Sequence, residues 1–396
     1  PTNDLVTGPD IIFFWVARMI FAGYEYMDER PFNTVFFTSI IRDSQRRKMS
    51  KSLGNSPDVL QLIDEYGADA IRLGMLMCTT AGQDLLYDES LCVQGRNFAN
   101  KIWNAYRLID TLAENARGDE QHEHERIATE WLQVRIRQAA VELDGQFADY
   151  RLLDIARTLY RLIWDDFCSF YLELIKPAQG GALSKPALEK TIGFFEELMQ
   201  LLHPMMPFVT EELWHNLRER DEKDCIMVSR LTDYSSQPAN DKLLKDIAEV
   251  RELITAIRSF RSEKGVSPKE AFDLKVKSGN AQLFRDLAPA IQHLANVTNL
   301  QVVDTQPGGT QVQVVGPHEL FYPDGLFKGD EAEERAKLEE ELEYSKGFLA
   351  KVEKKLSNER FVNNAPEAVV DKERQKKADA EEKIRLLEQR LKSLAG

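Results

Sequence analysis

Hydrophobic residues recur at helical spacing through most of the stretch between residues 88 and 235. The first stripe consists of Phe98, Ile102, Tyr106 and Ile109, which lie three or four positions apart, as on one face of an α-helix. Further stretches of the same kind follow, separated by short polar breaks. Amphipathic helices with short connections bury their apolar faces by packing side by side, so the sequence predicts an up-and-down helical bundle here.

A second helical element is predicted over residues 329–396. Apolar residues recur at spacings of three and four on both sides of a break at residues 361–366, which ends in Pro366 and cannot continue a helix. This pattern predicts an antiparallel coiled-coil hairpin. Residues 346–377 hold 9 Lys and Arg against 5 Asp and Glu, which favours an arm that reaches RNA. A hairpin that merely dimerises is the alternative.

The first 57 residues predict the end of an open α/β sheet. A strand ends near Thr7, a tight turn contains Gly8, and an apolar run over residues 11–20 predicts a buried helix. A β-branched and aromatic run over residues 35–41 predicts the next strand. Residues just after a strand end in such a sheet are placed to bind ligands, so Asp10 is either a helix cap or an acceptor for a ribose hydroxyl or an amino group.

Two smaller elements complete the chain. Residues 58–87 predict two short amphipathic helices separated near Gly67. Residues 236–328 predict a small α+β module that begins with a helix. Its strands are expected at 272–276, 300–303 and 312–315, with a second helix over 282–294.

Composition limits the class of protein. With 43% hydrophobic and 29% charged residues among 396, the chain predicts a monomeric, cytoplasmic protein of two to four domains without a membrane span. The net charge of −14 argues against indiscriminate nucleic-acid binding, so local basic faces would carry any RNA contact. One basic edge, formed by Arg258, Arg261 and Lys264, could face RNA, but ordinary surface charge is the favoured interpretation. The four widely spaced cysteines indicate neither a protein metal site nor a disulfide framework.

A loop rich in lysine and serine follows the strand expected at residues 35–41. Residues 48–52 are Lys-Met-Ser-Lys-Ser and continue as Leu-Gly-Asn, which favours a loop over a buried helix. Lys48 and Lys51 supply positive charge and Ser50 adds a hydroxyl, so the loop suits a triphosphate or its leaving pyrophosphate. A solvated basic turn is the alternative.

This loop, extended by Leu-Gly-Asn, resembles the second signature of the class I aminoacyl-tRNA synthetases. Gly8, Asp10 and Trp15 resemble the residues that line the aminoacyl-adenylate pocket in the valyl and isoleucyl members, and the residues between Asp10 and Trp15 are closer to the valyl pattern. The resemblance implies the following site residues: catalytic Lys51 and Lys48; ATP- or adenylate-binding Gly8, Asp10, Lys48, Ser50 and Lys51; and Trp15 in the amino-acid pocket.

The helical regions resemble the tRNA-binding parts of the same enzymes. Residues 96–104 and 203–214 resemble their helical anticodon-binding domain, and residues 361–367 resemble the C-terminal tRNA-binding arm of the valyl members. Isoleucyl members would carry cysteine-rich zinc elements there. The resemblance implies basic tRNA-binding residues, for which surface solvation is the alternative: Arg96, Lys101, Arg107, Lys351, Lys354, Lys355 and Arg360. An exposed aromatic residue near the first three could stack an unpaired anticodon base.

The resemblance covers essentially the whole chain and implies a mainly α protein with five regions. These are the end of a Rossmann-type catalytic α/β domain (1–57), stem-contact helices (58–87), a helical anticodon-binding bundle (88–235), the small α+β module (236–328) and a coiled-coil arm (329–396). The implied activity is ATP-dependent activation of valine, with Mg²⁺ accompanying ATP, and transfer of valine to tRNA-Val.

Three features of a complete enzyme of this kind are absent from the sequence. It contains no His-Ile-Gly-His signature, no editing domain and no initiator methionine. We therefore expect a C-terminal portion of a longer enzyme, which binds tRNA but does not activate valine alone. The alternatives are a non-enzymatic tRNA-binding module and the related isoleucyl enzyme.

Overall fold

The computed structural model describes residues 1–78, 84–177, 181–234, 240–324, 326, 331–358 and 367–394. Most of these residues are helical, and the strands form three small sheets. The chain divides into two units, which are Pro1–Ile175 with Ala182–Ala239, and Lys176–Gly181 with Asn240–Gly396. Among the described helices, none is both long and apolar enough to cross a membrane.

The first unit begins with a strand–helix–strand crossover. Strand β1 (Thr2–Thr7) pairs in parallel with β2 (Phe32–Phe37). A 3₁₀ turn (Pro9–Ile11), a π-helical turn (Ile12–Val16) and helix α1 (Ala17–Met27) connect them. The sequence predicts this order, but the predicted burial of residues 11–20 is wrong. Phe13 is 88% exposed, because no described part of the chain packs against that face of the helical turn. The spacing of apolar residues shows which face could be buried, but not whether another segment buries it.

A second pair of parallel strands, β3 (Ile41–Arg42) and β4 (Leu85–Leu86), flanks two helices. These helices are α2 (Val59–Tyr66) and α3 (Ala68–Cys78), and they confirm the predicted break at Gly67. Asp58 caps α2 by accepting a hydrogen bond from the Leu60 amide at 2.9 Å.

The predicted succession of helices after residue 88 is confirmed. Its members are α4 (Ser90–Asn115), α5 (Glu123–Ala148), α6 (Leu152–Tyr160), a π-helical segment (Arg161–Tyr171), α7 (Leu172–Leu174), α8 (Lys185–Leu202) and α9 (Pro207–Leu217). Their apolar stripes form the largest core of the first unit, where Phe98, Ile102 and Phe167 are fully buried.

Helices α3 and α4 pack at unusually short range because each has a glycine at the crossing. A Cβ atom at Gly74 would lie 2.9 Å from the Leu91 carbonyl oxygen, and one at Gly95 would lie 2.8 Å from the Ala70 Cα. Arg72 of α3 also donates from Nη2 to the Pro204 carbonyl at 3.0 Å. The short helices next to the lysine-rich loop are thereby tied to the helical core.

The second unit contains a four-stranded sheet. A long helix precedes its first strand, and two short helices lie between the first and second strands. Its elements are α10 (Asp241–Glu263), β5 (Phe272–Lys277), α11 (Ala281–Asp286), α12 (Ala288–Ala295), β6 (Val297–Val302), β7 (Thr310–Val315) and β8 (His318–Pro323). The strand order is β6-β5-β8-β7, and only the β5–β6 pair is parallel. The predicted strands are present, whereas β8 was not predicted and the predicted helix 282–294 is divided in two at Leu287, just before Pro289.

Two long helices lie where the sequence predicts the arm. Helix α13 (Glu331–Leu356) and helix α14 (Glu367–Leu394) contact each other along their lengths. They run antiparallel, since ion pairs join early residues of one to late residues of the other: Lys346–Glu388 at 2.9 Å, Lys355–Glu373 at 3.4 Å and Glu341–Lys383 at 2.8 Å. The predicted break at 361–366 and Arg360 lie outside the described residues.

Candidate active site and nucleic-acid interface

The lysine-rich loop folds as a tight excursion from strand β3. The Arg42 and Lys48 backbones form an antiparallel bridge, and the Met49 amide donates to the Ile41 carbonyl at 3.3 Å. A 3₁₀ turn (Lys51–Leu53) follows, and Gly54 has φ +63°, a left-handed conformation that favours glycine. Lys48 is therefore held against the strand, while Lys51 begins the turn that projects beyond it.

Lys48 and Asp10 meet although 38 residues separate them in sequence. The Lys48 Nζ lies 2.7 Å from the Asp10 Oδ2 in a half-exposed ion pair. The hydrogen bond and charge of Lys48 lower the pKa of Asp10 from its ordinary value. Asp10 is thus an acceptor for a cation and lies inside the 3₁₀ turn, whose N-cap is Gly8, while the π-helical turn after it has Ile11 as its N-cap. The predicted capping alternative for Asp10 is wrong.

Gly8 lies directly beneath this ion pair. A Cβ atom at Gly8 would lie 2.8 Å from the Asp10 Oδ1, which is closer than such atoms approach. Gly8 therefore keeps the space that the Asp10 carboxylate occupies. A side chain at this position would push the carboxylate away from Lys48.

The remaining predicted site residues lie on either side. Trp15 is 53% exposed within the π-helical turn that follows Asp10. The Ser50 hydroxyl accepts a hydrogen bond from the Leu53 amide at 3.3 Å and lies 3.2 Å from the Ser52 hydroxyl, so it caps the 3₁₀ turn. The backbone of Lys51 belongs to that turn, but its side chain lies outside the described part of the chain.

Sequence reasoning missed Asp43 and Asn55, which bracket the loop. The Asp43 carboxylate accepts from the Asn55 Nδ2 at 2.9 Å and from the Arg47 amide at 2.8 Å. The Asn55 Oδ1 in turn accepts from the Ser50 amide at 3.0 Å. The only signal in the sequence was the Asn of Leu-Gly-Asn, since nothing in the spacing connects it to Asp43.

Helix α4 carries Trp103 and the three basic residues that the resemblance assigns to tRNA binding. Arg107 and Trp103 are exposed there, and Trp103 is 38% exposed. Arg96 and Lys101 are half-buried, since the Arg96 guanidinium lies over the Tyr66 ring at 5.4 Å and the Lys101 ammonium over the Trp164 ring at 5.4 Å. The structure thus presents Trp103 beside predicted RNA-binding residues.

The predicted tRNA-binding lysines of the arm differ in whether they pair with the neighbouring helix. Lys351 and Lys354 are exposed on α13, whereas Lys355 pairs with Glu373 of α14. Lys355 therefore joins the two helices, and Lys351 and Lys354 are better placed to meet an external polyanion.

The described residues contain no group of three or more His, Cys, Asp or Glu side chains that could hold a metal ion.

Three family models match consecutive parts of this chain. The model described as class I tRNA synthetases (I, L, M and V) matches residues 1–88, the anticodon-binding domain of tRNA ligases matches residues 129–277, and the valyl-tRNA synthetase tRNA-binding arm matches residues 330–395. Curated relatives match across all of the chain. It is 48% identical over 396 residues to the valine–tRNA ligase of Phocaeicola vulgatus. The chain belongs to the valine–tRNA ligase family.

The likeness to other valine–tRNA ligases is similarly extensive. The chain is 45% identical over 395 residues to that of Christiangramia forsetii and 37% identical over 406 residues to that of Lactobacillus johnsonii. Each alignment covers 100% of this chain, but the chain spans only 44–46% of the length of these three relatives. The family assignment agrees with the valyl resemblance of the Asp10–Trp15 stretch.

Proposed function

We propose that this chain takes part in the ATP-dependent activation of valine and its transfer to tRNA-Val. The observation that supports this most directly is the contact between Lys48 and Asp10, because it joins the two sequence motifs that the resemblance assigns to one adenylate site. Membership of the valine–tRNA ligase family supports valine as the amino acid and tRNA-Val as the RNA.

In the proposed reaction a carboxylate oxygen of valine attacks the α-phosphorus of ATP, and the bond to pyrophosphate breaks. Negative charge grows on the leaving pyrophosphate, so Lys51 and Lys48 stabilise the transition state. Lys48 exchanges its bond to Asp10 for one to phosphate, which frees the Asp10 carboxylate to accept a hydrogen bond from the ribose or the valine ammonium. Ser50 caps the turn that carries Lys51.

The other parts of the pocket have simpler roles. Gly8 lets the adenylate approach the backbone, and Trp15 borders the valine side chain. Mg²⁺ would enter with ATP, whose phosphate oxygens would be its ligands, and would offset their negative charge.

The regional assignments are part of the same proposal. Residues 1–57 form the end of a Rossmann-type catalytic domain, residues 58–87 contact the tRNA stem, and residues 88–235 bind the anticodon. Residues 236–328 form a connecting module, and residues 329–396 form a coiled-coil hairpin that binds tRNA. The antiparallel ion pairs between α13 and α14 support the hairpin.

Replacing Lys51 or Lys48 by methionine in the full-length enzyme is expected to lower kcat/KM for ATP–pyrophosphate exchange by roughly 100-fold, because each variant loses one cation at the departing pyrophosphate. Lys242→Met removes an exposed lysine of α10 that pairs with Asp246 and is the matched control, expected within twofold of the unmodified enzyme. Exchange that survives both loop substitutions would exclude the proposed phosphate-binding role.

Replacing Trp103 by alanine is expected to weaken binding of tRNA-Val to this chain by about 1–3 kcal/mol, because an exposed ring beside basic side chains can stack an unpaired base. Affinity is measured at several salt concentrations, since phosphate contacts weaken with salt while stacking does not. Phe147→Ala is the control, because Phe147 is similarly exposed at 43% but lies on α5. Equal effects of the two variants would contradict the α4 assignment, and absent tRNA binding by the unmodified chain would contradict the RNA-binding role.

A further inference from the structure

The Asp43 carboxylate is the most completely bonded acidic group next to the proposed active site. It is only 8% exposed and accepts four hydrogen bonds. The donors are the Gln45 amide at 3.0 Å, the Arg47 amide at 2.8 Å, the Arg47 Nε at 2.8 Å and the Asn55 Nδ2 at 2.9 Å. These donors, Asn55 first, hold the pKa of Asp43 well below its ordinary value, so the group stays ionised.

Asn55 extends this network to the far side of the loop. Its Oδ1 accepts from the Ser50 amide at 3.0 Å, and its Nδ2 also lies 3.4 Å from the Lys48 carbonyl. The Asn55 side chain therefore contacts the backbone of both Lys48 and Ser50. The segment left between Ser50 and Asn55 is 51–54, which consists of the 3₁₀ turn Lys51–Leu53 and Gly54.

We propose that Asp43 and Asn55 are positioning residues for valine activation, acting as a clamp that fixes the base of the lysine-rich loop. The clamp holds the Lys48 backbone where its ammonium reaches Asp10, and it confines movement of Lys51 to the four-residue segment 51–54. Neither residue contacts the phosphates. Both act through the two lysines, and the inference rests on the proposed function of those lysines.

The geometry also predicts how the clamp can be broken and restored. Asn55→Asp places a second carboxylate against that of Asp43 and removes the donor between them, while retaining an acceptor for the Ser50 amide. The double variant Asp43→Asn/Asn55→Asp restores a donor and an acceptor across the pair. A clamp therefore predicts a rescue by the second substitution, which independent roles for the two residues do not predict.

The first measurement is amide hydrogen exchange on this chain. Asn55→Ala, which removes the acceptor of the Ser50 amide, is expected to raise the exchange rate of that amide at least tenfold, while amides of α4 and α5 keep their protection and show that the fold is intact. Ser44→Ala, in the same exposed turn, is the control and is expected to change nothing. Unaltered protection at Ser50 would overturn the clamp, whether or not the protein activates valine.

The second measurement is ATP–pyrophosphate exchange by the full-length enzyme. Asn55→Asp is expected to lower kcat roughly 10- to 100-fold while KM for valine stays within twofold, because misplacing the lysines affects the departing pyrophosphate rather than the amino-acid pocket. The double variant is expected to recover at least tenfold over Asn55→Asp. A double variant no faster than Asn55→Asp, or an Asn55→Asp enzyme as fast as the unmodified one, would overturn the inference. If the unmodified enzyme shows no exchange, the proposed function fails instead.

Discussion

Gly95→Ala is expected to lower the free energy of unfolding of the first unit by about 1–3 kcal/mol. The new methyl group would collide with the Ala70 carbonyl oxygen and would lie 2.8 Å from the Ala70 Cα and 2.9 Å from its carbonyl carbon. All three are backbone atoms of α3, so no side chain can rotate away and the two helices must separate. Separation would also uncover Leu73 and Cys92, which are buried at the crossing.

Gly145→Ala provides a matched control for this substitution. Gly145 also lies inside a long helix, α5, but a Cβ atom there would meet nothing within 4 Å. Alanine should therefore stabilise the protein by about 0.5–1 kcal/mol, because it has a higher helix propensity than glycine. Both variants are measured by thermal and denaturant unfolding of the whole chain. A Gly95→Ala protein as stable as Gly145→Ala would mean that α3 and α4 do not cross as closely as described.

The helical part of the fold was predictable because its cause is local. Periodic apolar residues such as Phe98, Ile102 and Ile109 define a buried face by their spacing alone, and the structure buries all three. The break at Gly67 was predictable for the same reason, since a glycine in a left-handed conformation ends a helix. Strand β8 was missed because His318 and Glu319, at its start, interrupt the apolar pattern that marks a strand.

The candidate site was predictable only as separate motifs. Considered singly, the lysine-rich loop could be a solvated basic turn and Asp10 a helix cap. The contact between Lys48 and Asp10 is what joins the two motifs. The spacing along the chain carries no information about this contact, because the intervening crossover from β1 to β2 creates it. Asp43 and Asn55 were missed because a polar residue in a turn is ordinarily a solvated one.

Arg261 shows the same difficulty for a charged residue. A basic residue near the end of a predicted helix is usually exposed, and Arg261 was interpreted in that way with Arg258 and Lys264. The structure corrects this interpretation, since Arg261 is only 4% exposed. Its burial is possible because backbone carbonyls surround the guanidinium and accept hydrogen bonds from it. They end helix α12 and precede strand β5, and neither segment can be recognised from the sequence around Arg261.

Arg261→Met is expected to lower the stability of the second unit by about 1.5–3 kcal/mol, because backbone acceptors lose their charged donor. Nη1 donates to the carbonyls of Ala295 at 3.0 Å and Asn296 at 3.1 Å. Nη2 donates to the carbonyls of Ser267 at 2.8 Å, Pro268 at 3.3 Å and Glu270. The guanidinium thereby joins the C-terminal end of α12 to the segment that enters β5. Methionine fills a similar volume but donates no hydrogen bond, so the link between the two segments would be lost. The Ser267 and Pro268 carbonyls would keep their bonds to the Glu270 amide and the Asn296 Nδ2, whereas the Ala295 carbonyl would lose its bond to the guanidinium.

Arg261→Lys separates the role of charge from that of shape. An ammonium retains the positive charge but donates from a single atom, so it cannot span carbonyl groups that the planar guanidinium reaches from two nitrogens. We therefore expect Arg261→Lys to remain destabilised, while Arg285→Met, which removes an exposed arginine of α11, stays within about 0.5 kcal/mol of the unmodified chain. Opening free energies from hydrogen exchange of β5 and α12 amides are the measurement, because they report on this unit separately from the first. Full stability of Arg261→Lys would show that charge alone, rather than the spread of the guanidinium donors, holds α12 against the segment before β5.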